Sequence, residues 1–250
     1  MKDHKFETLL RLGDNALVLS QQLGAWCGHG PALEEDLALT NVALDLLGQA
    51  RMWLSYAGEV EGKGRDEDAL AYLRDGGEFR NLLLVELPNG HYGDTVMRQF
   101  LFDAWHQHLL AGLSRSSDPR IAEIAQKAAK EVRYHVQRSA GLVIALGDGT
   151  QLSHDRMQAS LERLWPYTQE WFESDPIDAW CADQALAPAA PTLAGPWRAS
   201  VEAVLAQATL AMPEVVGHQR GGRQGNHTEH LGHMLTELQF VQRAYPGAQW

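Results

Sequence analysis

Cysteine is scarce. Cys27 and Cys181 are the only two in 250 residues, too few and too far apart for a disulfide framework or a zinc site, so both read as reduced thiols. Long apolar runs are missing as well. No segment approaches a charge-free membrane span, and the opening Met1-Lys2-Asp3-His4-Lys5-Phe6-Glu7 lacks the apolar core of a signal peptide. Together these predict a cytoplasmic chain with no membrane partner. Basic side chains are outnumbered, 21 Lys and Arg against 32 Asp and Glu. The formal charge of −11 and pI near 5.4 oppose nonspecific nucleic-acid binding, which needs basic surface to displace phosphate counterions, and suit a basic protein partner better. The absence with most chemical content is a spacing. No Glu-x-x-His occurs anywhere, and Asp-x-x-His occurs once, from Asp103 to His106. Helical di-metal carboxylate proteins draw ligands from two Glu-x-x-His pairs and two further glutamates, because that spacing stacks both ligands one turn apart on one face.

What is present is helical periodicity. With 45% hydrophobic residues the chain can bury one large core, and its length fits a single domain over 1–250. A first helix is expected over about Phe6 to Leu23, interrupted at Gly13. A second follows Pro31 over about Ala32 to Val60, with Leu33, Leu37, Leu44, Leu47 and Leu54 as its core stripe. The loop Glu61-Gly62-Lys63-Gly64-Arg65-Asp66 leads to a short segment through Leu73, and Pro88-Asn89-Gly90 is a tight turn. A third helix covers about Asp94 to Leu113. The fourth starts with Asp118 as N-cap and Pro119 at its first position and ends at Gly147-Asp148-Gly149. Its stripe is Ile121, Ala125, Ala128, Val132, His135, Ser139, Leu142 and Leu146. Later helices are expected over about Ser153 to Phe172, Trp197 to Ala211 and Thr228 to Ala244. The fold class is therefore all-α: a four-helix bundle core over about 6–147 and a helical C-terminal extension over about 150–250.

The interior polar residues argue against a metal centre. Two ferrous ions carry four positive charges, and a buried site needs several carboxylates to offset the cost of desolvating them. Asp14, Asp45, Asp103 and Glu131 offer one acid per bundle helix, but in poor register. Glu131 lies four residues after Lys127 and seven before Arg138, which suits a solvated ion-pair ladder. Val132 occupies the acid position before His135. Asp103 and His135 are expected to satisfy each other as a buried pair across two helices.

A second polar cluster lies near the C-terminus. His227, Glu229, His230 and His233 fall within seven residues, without the His-Glu-x-x-His order of zinc peptidases. Thr228 or Asn226 can cap that last helix, with Glu229 in its positive first turn. Arg223, His227, Glu229 and His230 are candidates for partner or ligand contact. The preceding Gly221-Gly222-Arg223-Gln224-Gly225 is flexible and basic enough to touch a phosphate or an acidic partner, although no strand precedes it as in a P-loop. The eight tryptophans suit core positions and interface centres alike.

Three runs carry a family resemblance: Arg11-Leu12-Gly13-Asp14-Asn15-Ala16-Leu17-Val18-Leu19-Ser20, Asn41-Val42-Ala43-Leu44-Asp45-Leu46-Leu47-Gly48-Gln49-Ala50-Arg51 and Lys130-Glu131-Val132-Arg133-Tyr134-His135. With the closing segments from Gly221 to Gly232 and from Pro246 to Trp250, they resemble the C component of the bacterial phenylacetyl-CoA epoxidases over essentially the full chain. The resemblance implies a ferritin-like fold and a place in an oxygenase complex. The catalytic subunit there is a related di-iron protein that epoxidises the aromatic ring of phenylacetyl-CoA with dioxygen. Its electrons come from NADPH through a separate reductase carrying flavin and iron–sulfur groups. Set against the catalytic pattern, Leu46 and Gln49 stand where helix two gives Glu and His, Val132 replaces the acid of helix four, and helix one places Leu19 at its ligand position. Asp103 and His135 alone match. The implied role is a noncatalytic structural partner of the di-iron subunit and other epoxidase subunits in a hetero-oligomer, with no cofactor of its own. A di-metal oxidase acting alone with a non-standard ligand set, and a helical scaffold unrelated to oxygenation, remain alternatives.

Overall fold

The computed structural model describes residues 2–214 and 217–248; Val215, Val216 and the final Gln249 and Trp250 of the closing run lie outside the described residues. All regular elements among the described residues are helices, in agreement with the all-α, ferritin-like expectation. The chain groups into two compact units, Met1–Pro88 with Arg220–Trp250, and Asn89–Gln219. The four long helices form two hairpins, one in each unit. The last helix groups with the first hairpin.

In the first unit α1 (Lys2–Gly24) lies against α2 (Leu33–Glu61). Leu9, Leu19 and Leu23 from α1 and Leu39, Leu46, Trp53 and Ala57 from α2 are buried between them. Gly13 does not interrupt α1. A Cβ there would sit 2.6 Å from Leu54 Cδ2, so the glycine lets the second helix approach. The stripe expected for α2 is also overturned. Of its five leucines only Leu54 is buried, while Leu33, Leu37, Leu44 and Leu47 are 71, 55, 60 and 42% exposed. At about 100° per residue these four share an arc roughly opposite the buried set. The helix has two apolar faces, and periodicity alone selected the outer one. Gly62, at φ 71°, closes α2 in the left-handed region. The short α3 (Glu67–Tyr72), capped by the Asp66 carboxylate at Ala69 N, and α4 (Leu83–Glu86) follow.

In the second unit α5 (Tyr92–Leu113) is buried almost all round, and α6 (Pro119–Gly147) begins as expected, with the Asp118 carboxylate accepting from Arg120 N and Ile121 N. Its stripe holds from Ile121 to Ser139 and then continues through Val143 and Gly147, leaving Leu142 and Leu146 half-buried. Gly147 has no room for a side chain, since a Cβ there would sit 2.5 Å from Ala208 O. α7 (Gln151–Leu164) is shorter than expected, because Pro166 cannot continue the helical ladder and the chain passes into 3-10 turns. α8 (Pro176–Asp183), which the sequence pattern did not reveal, is held by an Asp175 cap and Pro176. α9 (Ala194–Gln207) closes the unit. Trp105, Trp165, Trp171 and Trp197 are buried together in this unit, and Trp53 is buried in the other. Five of the eight tryptophans are thus core residues rather than surface anchors. The last helix, α10 (Glu229–Ala244), returns to the first unit, where Gln239 Nε2 donates to Ala71 O and Arg74 O at 3.0 and 2.9 Å. Among the described residues no helix is long and apolar enough to cross a membrane.

Candidate functional site

The polar core of the second unit is built by facing positions of α5 and α6. Asp103 is fully buried and accepts from Gln99 Nε2 at 2.6 Å and from Ser139 Oγ at 2.8 Å. Gln99 stands one turn before it on the same helix, and Ser139 one turn after His135. The sequence pattern paired Asp103 with His135 and did not point to these two donors, although both sit at four-residue steps from a residue already singled out. Burial pushes the Asp103 carboxyl up to about 6, against the opposing effects of His135 and of the Ser139 and Gln99 hydrogen bonds. His106 is the reverse case: burial, reinforced by His135, holds it neutral with a value of about 3. It packs between Phe102 and Trp105, and its Nδ1 is buried with no hydrogen-bond partner. Val132 contributes a wholly buried apolar wall where an acid would be required.

In the first unit Leu19, Leu46 and Gln49 are each 0% exposed. Asp14 is equally buried, but its carboxylate is already engaged. It forms a two-pronged ion pair with Arg74 and accepts from Arg80 N at 2.8 Å. Asp45 and Glu131 lie partly exposed on their helices. Among the described residues no group of three or more His, Cys, Asp or Glu is arranged to hold a metal ion. Leucine and valine offer no lone pair, and one carboxylate with its histidines cannot neutralise two irons, so the residues present do not fit a di-iron centre.

One member of the C-terminal cluster, His227, takes part in an internal joint of the first unit. Glu86 is 0% exposed and accepts from Asn81 Nδ2 at 2.8 Å and from Thr228 N at 2.6 Å. His227 Nδ1 lies 2.7 Å from the same carboxylate, and its Nε2 lies 3.0 Å from Phe79 O. Burial opposes protonation of His227, but the Glu86 carboxylate outweighs it and the net shift is upward. Thr228 is the N-cap residue of α10, but its side chain makes no capping hydrogen bond; Glu86 instead accepts from the backbone N–H of Thr228 itself. Of the four contact candidates, His227 is turned inward, with a side chain 6% exposed. Arg223 and His230 are half-buried, and Glu229 is exposed, as is the neighbouring His233.

The glycines before this joint serve close backbone approach. Gly221 and Gly225 have φ of 126° and 81°, and a Cβ on Gly222 would sit 2.2 Å from Asn81 O. Gly222→Ala is expected to loosen the segment and cost about 1–3 kcal/mol through overpacking against backbone. The measurement is urea unfolding together with limited proteolysis around residues 217–228, which should quicken. Unchanged stability and cleavage would show that the backbone accommodates the methyl group.

Comparison with known proteins places this arrangement. The full chain, residues 1–250, matches the profile of the family described as phenylacetic acid catabolic protein. A curated relative, the C component of the 1,2-phenylacetyl-CoA epoxidase of Escherichia coli (strain K12), is 52% identical over 241 residues, covering 96% of this chain and 97% of the relative. An all-helical fold, a core histidine stripe without its acid partners and a full-length match of this kind lead to one assignment: the chain belongs to the phenylacetic acid catabolic protein family.

Proposed function

We propose that this chain is the noncatalytic structural subunit of a phenylacetyl-CoA ring 1,2-epoxidase, holding a di-iron catalytic subunit in a cytoplasmic hetero-oligomer. The observation that carries the reading is the burial of Leu19, Leu46 and Val132, each 0% exposed, at positions where the catalytic pattern requires ligands. Side chains packed at interior density cannot be exchanged for metal and water without rebuilding the core. The iron chemistry then belongs to the partner, and the NADPH, flavin and iron–sulfur groups to a separate reductase. What remains for this chain is to stabilise and position the catalytic subunit, in the way that any ligand bound only to the native state stabilises it.

The isolated chain is expected to retain well under one iron atom after anaerobic ferrous loading and desalting, and about two per chain would overturn the assignment. Phenylacetyl-CoA epoxidation by reconstituted complexes supplies the functional arm. Omitting this chain should reduce turnover at least tenfold. A His135→Ala complex matched for assembly and partner iron should keep most of its activity. Abolished turnover in that folded complex would make this chain catalytic.

A further inference from the structure

The outer face of α2 has no role in the first unit's core. Leu33, Leu37, Leu44 and Leu47 follow one another at steps of four, seven and three, the spacing of a helix–helix seam. They run along about 21 Å of helix at 1.5 Å per residue, and all four are exposed. The lower half of the seam opens into a groove of about 470 Å³ between α2 and α3, walled by Leu44, Leu47, Leu54 and Tyr72. Contiguous apolar surface of this kind marks interaction sites rather than ordinary solvent-facing helix.

The borders of the seam are acidic. In the first turn of α2, Glu34 and Asp36 flank the seam on its two sides, Asp36 also accepting from Gly28 N and Gly30 N, and Asp66, Glu67 and Asp68 stand at the start of α3 beside the groove. The cation on the groove wall, Arg51, is already bound to Glu67 at 3.1 Å. Partial burial, with crowding by Asp66 and Glu67 added to it, raises the Asp68 carboxyl above its ordinary value, so this border gains from a positive neighbour.

We infer that the outer face of α2 is the seat of an amphipathic helix from a different subunit, one that inserts aliphatic side chains between Leu44, Leu47 and Tyr72 and flanks them with lysine or arginine. A second copy of this chain does not meet that description. It would bring the same acidic borders and another −11 charge, and like charge across a seam opposes association. The inference rests on the structural-subunit reading and assigns its docking surface.

The test uses the full-length chain and the purified catalytic subunit of the same epoxidase system, with affinity measured by titration and by sedimentation. Leu44→Asp with Leu47→Asp should weaken binding at least a hundredfold, with unchanged circular dichroism and melting. Asp68→Lys should weaken it several-fold and flatten its salt dependence. Phe240→Asp, at a residue 62% exposed on α10, should leave it within threefold. Equal binding by the folded double variant overturns the docking face while sparing the structural-subunit reading. A wild-type homodimer that the double variant dissolves shows the occupant to be a second copy and likewise overturns the inference. Failure of the wild-type chain to bind the catalytic subunit removes the reading and the inference together.

Discussion

Asp14→Ala is expected to lower the unfolding free energy by about 3–5 kcal/mol, the cost of removing one partner from a buried ion pair. Asp14 is 0% and Arg74 2% exposed, so water does not stand in for the lost carboxylate. Arg74 Nη1 would keep Glu78 O at 3.0 Å, but its charge would remain buried without a counter-ion. Arg80 N would lose an acceptor. Exchanging both members for apolar residues, Asp14→Leu with Arg74→Met, should cost less than Asp14→Ala alone, because no charge is then left in the interior. Urea unfolding of the single and double variants measures both values. A single-variant cost below about 1 kcal/mol would mean that water reaches the site and that the pair is not a structural element.

The second expectation concerns acid stability, where the two buried groups of the second unit act in opposite senses. His106 titrates at about 3 when folded, below its unfolded value, so the unfolded chain binds more protons between pH 3 and 6.5. Its contribution is fully present above pH 6.5 and is lost as pH falls, by up to about 5 kcal/mol at 1.36 kcal/mol per pH unit. Asp103 has a folded value of about 6, above its unfolded value. The native state therefore binds more protons between about pH 4 and 6, and stability declines through that window as pH rises, by about 3 kcal/mol. His106→Leu should therefore flatten the acid limb of the stability curve, and no protein group loses a hydrogen bond to Nδ1. Asp103→Asn should differ most from wild type above pH 6 and converge with it by about pH 4. Thermal melts across pH 3.5–8 measure both, and pH-independent differences would remove the electrostatic account.

These expectations differ in how far the sequence could reach them. α6 was legible because it has one apolar stripe and a charged remainder, and Asp118-Pro119 is a local start signal whose geometry involves only neighbouring amides. α2 was legible as a helix but not in its orientation, since apolar residues occupy two of its faces and only packing against α1 chooses between them. α5 is buried almost all round, so its polar residues carry no periodic signature of which neighbour they meet.

The sequence by itself determined the all-helical class and most helix positions, because helical periodicity and capping are local properties. Tertiary structure decided the partners of the buried charges. Asp14 meets Arg74 across 60 residues, and Glu86 meets Thr228 across 142. Such pairs are chosen by which faces come together in the folded core, where a buried charge must find a counter-charge or donors, and no short-range pattern encodes that meeting.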